Sequence, residues 1–119
     1  MTGLRSADAR RVAREVLAAQ DVGERVLDDV LTVVAELVTN AIRHAGGVTG
    51  FRVRCLPDAV AVEVSDASPL LPVSPGTPAS TPGGFGWLLV NKLAHRTEIR
   101  TGRDGKTITA HLPLGAPAA

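Results

Sequence analysis

The segment from Val22 to Ala45 constrains the fold more than any other part of the chain. Within it Leu27, Val30, Leu31, Val34, Val38, Ala41 and Ala45 recur at helical spacing. That pattern makes a wide apolar stripe, which must be covered by a sheet or a second helix. Gly46-Gly47 ends the segment, as glycine past a helix C-terminus usually does. Away from the apolar stripe, Glu36, Asn40 and His44 stand four residues apart and so share one helical face. A carboxylate, a carboxamide and an imidazole line up there over about 10–11 Å. On spacing alone, the plain reading of Glu36 is a solvated position, as for most helical glutamates.

The flanking segments supply the cover. Ser6 reads as the cap of a first helix whose apolar face is Ala9, Val12, Ala13, Val16 and Leu17. Asp21 and Glu24 fit a capping box that starts the long helix at about Val22. After Gly47, Phe51, Val53 and Cys55 alternate with Arg52 and Arg54, and Val60, Val62 and Val64 alternate with polar or small residues. With the turn at Pro57-Asp58, this predicts an antiparallel hairpin ending at Asp66. Residues 68–84 carry Pro69, Pro72, Pro75, Pro78 and Pro82, which rules out a regular helix or central strand there. Gly83-Gly84-Phe85-Gly86 opens a third helix, Trp87 to about His95. A second hairpin follows, Thr97–Thr101 and Lys106–Leu112, around an Asp-Gly turn that favours positive φ. Residues 113–119 read as a frayed tail.

Helix, helix, hairpin, long loop, helix, hairpin is the order of an α/β two-layer sandwich. Its sheet is mixed and mostly antiparallel, with helices packed on one face. At 119 residues the chain makes a single domain, 1–119. A net charge of +1 without a run of like charges excludes an obvious nucleic-acid or membrane surface. Aromatics are only 3%, so no stacking platform for bases is present. Cys55 is the lone cysteine, which rules out an internal disulfide and suits a small core residue. Met1 to Ala19 carries Arg5, Arg10, Arg11 and Arg14 without an apolar run, so no signal peptide is expected and a cytoplasmic location is the default.

Three features can serve one ligand. The glycines at 83, 84 and 86 offer free backbone N–H groups and the positive end of a helix dipole, which suits phosphate, although a simple helix-start loop explains them too. Asp66, at a strand end, can accept from the exocyclic amine of adenine, or merely start a turn. Asn40 offers a neutral oxygen to Mg²⁺, and Glu36 beside it can position or deprotonate a hydroxyl. A Rossmann site is disfavoured, because its glycines must lie between strand and helix of a βαβ unit.

Taken in order, these segments resemble the ATP-binding domain of the GHKL superfamily (the Bergerat fold), shared by DNA gyrase, histidine kinases, mismatch-repair ATPases and heat-shock chaperones. They are most similar to its anti-sigma-factor serine kinase branch, of the actinobacterial type. Glu36-Leu37-Val38-Thr39-Asn40-Ala41-Ile42-Arg43-His44-Ala45 matches the first motif of that branch. Val62 to Pro69 matches the second, Gly84-Phe85-Gly86-Trp87-Leu88-Leu89-Val90 the third, and Gly105-Lys106-Thr107 the motif near the last strand. The likeness spans roughly Asp8 to Leu112. The departures are Ala67 and Ser68 where glycines usually follow the aspartate, Trp87 in place of leucine, and a first strand absent or cut to Thr2–Arg5.

The resemblance implies a role for each matching residue. Glu36 would be the catalytic base and Asn40 the Mg²⁺ ligand. Asp66 would take the adenine amine and Thr107 a hydrogen bond near it. Gly84 and Gly86 would hold the phosphates, with His44 near the phosphate end and Phe85, Trp87 and Leu88 on the cofactor-binding helix entry. Residues 68–84 would form the ATP lid. Arg10 or Arg11 would serve a partner or homodimer surface. The implied function is an ATP- and Mg²⁺-dependent kinase that binds a sigma factor and phosphorylates a serine of an antagonist protein. The alternative is a catalytically silent module that senses nucleotide or holds a partner. Histidine-kinase catalysis is disfavoured, since the chain shows no helix pair with a phospho-accepting histidine, though a separate chain could supply one.

Overall fold

The computed structural model describes residues 3–69 and 84–114. The expected lid therefore falls, from 70 to 83, outside the described residues, as does the tail from 115 onward, but Pro113 and Leu114 are not frayed: Pro113 ends the last strand, and the Leu114 N–H donates to the Asp58 carbonyl at 3.3 Å. The elements are α1 (Ser6–Ala18), α2 (Glu24–Ala45), β1 (Val48–Cys55), β2 (Ala59–Asp66), α3 (Gly84–Leu93), β3 (Arg96–Gly102) and β4 (Gly105–Pro113). The strands form one four-stranded sheet in the order β1-β2-β4-β3. Every pairing in it is antiparallel, with no parallel pair of the kind a mixed sheet would hold.

Alternation along the two central strands sets the layers. Val60, Val62 and Val64 of β2 pair with Leu112, Ala110 and Ile108 of β4, and all six are buried. They face α2, whose Val30, Val34, Leu37, Val38 and Ala41 are buried against the sheet side. α1 packs on α2 and β1 through Ala9, Ala13 and Leu17, and α3 packs on α2. A leucine as enclosed as Leu37 or Leu112 typically costs about 2–5 kcal/mol when cut to alanine. The opposite face of the sheet carries Arg52, Arg54, Glu63, Arg96, Glu98, Arg100, Thr109 and His111, and no described helix covers it. No described helix is long and apolar enough to cross a membrane.

Helix boundaries differ from expectation where capping chemistry was inferred. Ser6 is already inside α1, and Arg5 holds the cap position. Asp8 does the capping work: its carboxylate accepts from the Arg5 backbone N–H at 3.2 Å and from Arg11 at 3.1 Å. An acid in the first turn is also favoured by the helix dipole. α2 starts at Glu24, with Gly23 as cap and no side-chain cap bond from Asp21. The backbone itself closes the preceding turn, through Gln20 N–H to Leu17 O and Val22 N–H to Gln20 O, each 3.0 Å. The C-terminus follows the sequence signal: Gly46 takes φ +76°, and the Gly47 N–H reaches back to Ala41 O at 3.0 Å. α3 begins at Gly84, so Gly84 and Gly86 lie within its first turn, and Gly83 falls outside the described residues. No strand precedes α1 among the described residues.

Candidate functional site

α2 carries the polar stripe, and α3 comes to meet it. Glu36 is half-buried, and Gly86 lies beside it in the first turn of α3. A Cβ on Gly86 would overlap Glu36 Oε2 and crowd its Cδ. Only glycine lets the start of this helix approach the carboxylate so closely. One turn further along α2, Asn40 is 8% exposed. Its Nδ2 is fully enclosed and has no hydrogen-bond partner among the described residues. A buried polar group is normally satisfied, so this carboxamide presents an unmet bond inside the fold. A carboxamide offers an oxygen from the same group by a half-turn of the side chain. His44, in the last turn of α2 with Arg43, is exposed.

Asp66 ends β2 on the helix-facing side of the sheet, in phase with Val60, Val62 and Val64. Its Oδ1 accepts two bonds, from the Ser68 backbone N–H at 2.9 Å and from Lys106 Nζ at 3.0 Å. Lys106 also donates to the Ser68 carbonyl at 3.2 Å. The two side chains are 5% and 4% exposed, for Lys106 and Asp66 respectively. Burying such a pair is repaid only by good geometry and further hydrogen bonds, which Ser68 supplies from both its backbone groups. The two strands approach closely at Gly105, which takes φ +139° and where a Cβ would overlap the Asp66 carbonyl oxygen.

Thr107 leaves the sheet on the face opposite Asp66, although both line one cavity at the β3–β4 turn. Strand alternation turns it to the uncovered face, where its hydroxyl shares a 2.8 Å hydrogen bond with Ser65 Oγ. The residue of β4 that shares the face of Asp66 is Lys106, its register partner. The apolar phase of Ile108, Ala110 and Leu112 carried this information in the sequence. Counting back from Ile108 places residue 106, not 107, on the helix side.

The remaining expected residues cluster at the entry of α3. Gly84 opens the helix, Trp87 is half-buried against the core, and Leu88 is 54% exposed. Asn91 Nδ2 donates to the Trp87 carbonyl at 3.0 Å. The side chain of Phe85 lies outside the described residues. Glu36 and Asp66 border different cavities. Glu36 lines one of about 400 Å³ between α1 and α2, with Arg10, Arg14, Asp28 and Thr32. Asp66 and Lys106 line one of about 420 Å³ at the β3–β4 turn, with Ser65, Arg100 and Thr107.

Among the described residues no group of three or more His, Cys, Asp or Glu could hold a metal. Burial pushes the Cys55 thiol above its ordinary value. On the uncovered face Arg96 holds the Glu98 carboxyl below the usual range by a hydrogen bond and by its charge. His111 stands 3.4 Å from the same carboxylate.

A model of the histidine kinase-like ATPase domain matches residues 4–112. The chain belongs to this family. Solved structures with the same architecture include the histidine kinase domain of the blue-light activated histidine kinase EL346 from Erythrobacter litoralis, with a TM-score of 0.58 and 18% identity. That match covers 92% of this chain and 60% of that one, so the chain spans about three fifths of the kinase domain it resembles. The histidine kinase domain of the E. coli osmosensor EnvZ aligns with a TM-score of 0.50 and 22% identity, over 92% of this chain and 88% of that one. At these identities the likeness establishes the fold. No curated protein matches the chain. Membership in a histidine kinase-like ATPase family implies ATP binding, and the enclosed, unpartnered amide of Asn40 and the glycine contact at Glu36 fit a nucleotide with its cation.

Proposed function

We propose that the chain is an ATP- and Mg²⁺-dependent protein-serine kinase of the anti-sigma-factor type, which binds a sigma factor and phosphorylates a serine of an antagonist protein. The observation that carries this reading is the meeting of Glu36 with Gly86 at the start of α3, one turn from the unsatisfied Asn40. This arrangement supports reading Glu36 as the general base, Asn40 as the metal-binding amide and the entry of α3 as the phosphate site, all on two packed helices. The antagonist and the sigma factor rest on the motif at Glu36–Ala45 and its likeness to that branch.

Bound Mg²⁺-ATP supplies the phosphoryl group and the cationic charge. Asn40 would hold the cation, since its carboxamide can turn a neutral oxygen toward it. The first turn of α3 at Gly84 and Gly86 presents N–H groups that have no helical acceptor, and these bind phosphate oxygens. Glu36 accepts the proton of the serine hydroxyl as its oxygen bonds to phosphorus and the bond to the ADP oxygen breaks. Asp66 receives the base. Positioning and charge stabilisation of this kind supply most of the catalysis in phosphoryl transfer.

A second reading, a nucleotide sensor without turnover, draws on the Asp66 carboxylate, which already carries Lys106 and Ser68. Titration calorimetry with ATP, with and without Mg²⁺, followed by transfer from radiolabelled ATP to a serine-bearing antagonist domain, separates the two. The kinase reading expects Mg²⁺-dependent binding and a loss of about 10²-fold or more in transfer rate for Glu36→Gln. Tight binding without transfer to any antagonist favours the sensor, and no binding removes both.

A further inference from the structure

We infer that the uncovered face of the sheet is a docking site for an acidic segment of a partner protein, whose carboxylates meet Arg52, Arg54, Arg100 and His111. This goes beyond nucleotide binding and is independent of it, since Glu36 and Asn40 belong to α2 in the other layer. Strand register sets the face. Arg54, Ala61, His111 and Arg96 form one row across it, and Arg52, Glu63, Thr109 and Glu98 form the next, with Arg100 beyond. The face thus carries four arginines against two glutamates. Glu63 lies 3.3 Å from Arg54, and Glu98 pairs with Arg96. Arg52 and Arg100 are exposed and stand in no ion pair among the described residues.

A cavity of about 280 Å³ opens on this face, lined by Arg54, Arg100, His111 and Thr109 together with Glu63 and Glu98. Among the described residues four enclosed side-chain nitrogens make no hydrogen bond, and two of them, Arg54 Nε and His111 Nε2, belong to this lining. Arg54 Nε stands 3.3 Å from Glu63 and His111 Nε2 3.4 Å from Glu98, yet neither contact is aligned as a hydrogen bond. A guanidinium only donates, and an imidazole nitrogen donates when it carries the proton. The missing partner is therefore an acceptor, and a carboxylate meets a guanidinium with two parallel bonds. The surplus of two positive charges calls for at least two acids in one segment. Arg52 and Arg100 stand on the outer strands β1 and β3. Three strand spacings separate those strands, about 14 Å, which an extended segment of about four residues spans. A nucleic acid fits less well. Glu63 and Glu98 oppose its phosphates, and no Phe or Trp stands in these rows for bases to stack on.

The probe is a fluorescein-labelled peptide of alternating Glu and Ser, compared with the same peptide carrying Gln for Glu. Anisotropy is measured on the whole chain, without nucleotide and at low ionic strength, where exposed charges are least screened. The Glu peptide should bind and the Gln peptide should not. The double variant Arg52→Gln/Arg100→Gln should weaken binding by about tenfold, and Arg54→Met alone by a similar factor. Arg25→Gln removes the same charge from an exposed position on α2 and should change affinity by less than about twofold. Failure of the Glu peptide to bind the unmodified chain overturns the inference. So does a loss in Arg25→Gln equal to that in the sheet variants, which would mark net charge alone. Tighter binding of a single-stranded DNA oligonucleotide would make the partner a nucleic acid. A dimer in sedimentation that the double variant abolishes would make it a second copy of this chain. Either result overturns the assignment to an acidic protein segment. The double variant changes only exposed side chains, so its fold should persist even if Arg54→Met fails to fold.

Discussion

At the scale of single residues, the polar groups of this chain divide into those that are satisfied and those that wait. Asp66, Lys106 and Ser68 satisfy one another, and Ser65 and Thr107 do the same on the other face. Asn40 is enclosed, with its amide nitrogen unpaired among the described residues. Glu36 is held against a glycine rather than by a hydrogen bond to a neighbour. This contrast makes Gly86→Ala a discriminating change. Alanine is the better helix former by up to about 1 kcal/mol, and the atom it displaces is the far end of a flexible glutamate. The folded state should therefore melt at the same temperature or slightly higher. The carboxylate, however, must swing away from the start of α3. A displacement of about 1 Å in a reacting group can cost about 10²-fold in rate, and phosphate transfer should fall by that order. Circular-dichroism melting and a single-turnover transfer assay measure the two effects. A variant that transfers phosphate normally would show that the Glu36–Gly86 contact is packing alone.

At the scale of elements, the hairpins were the most legible part of the sequence and the helix starts the least. Period-two alternation in Val60–Val64 and an Asp-Gly turn fix strand pairing locally, and the observed registers follow them. The C-terminus of α2 was legible for the same reason: glycine past a helix end has one main use. Helix starts are different, because Asp, Ser and Glu cap from several positions, and the choice depends on how the preceding turn closes. Here backbone bonds at Gln20 and Val22 close it, and Asp21 is left out. The side of the sheet taken by Thr107 was readable from the phase of β4. The Lys106–Asp66 pair needed the register of two strands separated by forty residues of sequence in the chain. That close approach hangs on Gly105. Gly105→Ala would place a methyl group on the Asp66 carbonyl oxygen, a backbone atom, at a φ of +139°. Strain at such a position typically costs about 1–3 kcal/mol, and losing the local register adds to it. Urea unfolding should show a loss of at least about 2 kcal/mol, along with weakened nucleotide binding. An unchanged midpoint would mean that β4 does not need its close approach to β2.

At the scale of the whole molecule, the order of elements gave the two-layer architecture, and the family match over residues 4–112 agrees with it. Glu36, beside the start of α3, and Asp66, at the end of β2, line separate cavities. A ligand that touches both ends should therefore act as a tie across the molecule, and its effect should appear as stability. At about 100 times its dissociation constant, a ligand that binds only the folded state adds about 2.7 kcal/mol. In a domain of roughly this size, 1 kcal/mol moves the melting temperature by about 4–8 °C, so Mg²⁺-ATP should raise it by roughly 10–20 °C. Without Mg²⁺ the rise should be much smaller, because phosphate and Asn40 then lack the cation between them. Asn40→Ala isolates that contribution. The unligated protein gives up an enclosed polar group that makes no bond, which offsets the small cavity left behind, so its own melting point should change little. The Mg²⁺-dependent part of the shift should vanish in the variant while a Mg²⁺-independent part, from the base and glycine contacts, remains. Equal shifts with and without Mg²⁺ in the unmodified chain would mean that the metal is not held at Asn40.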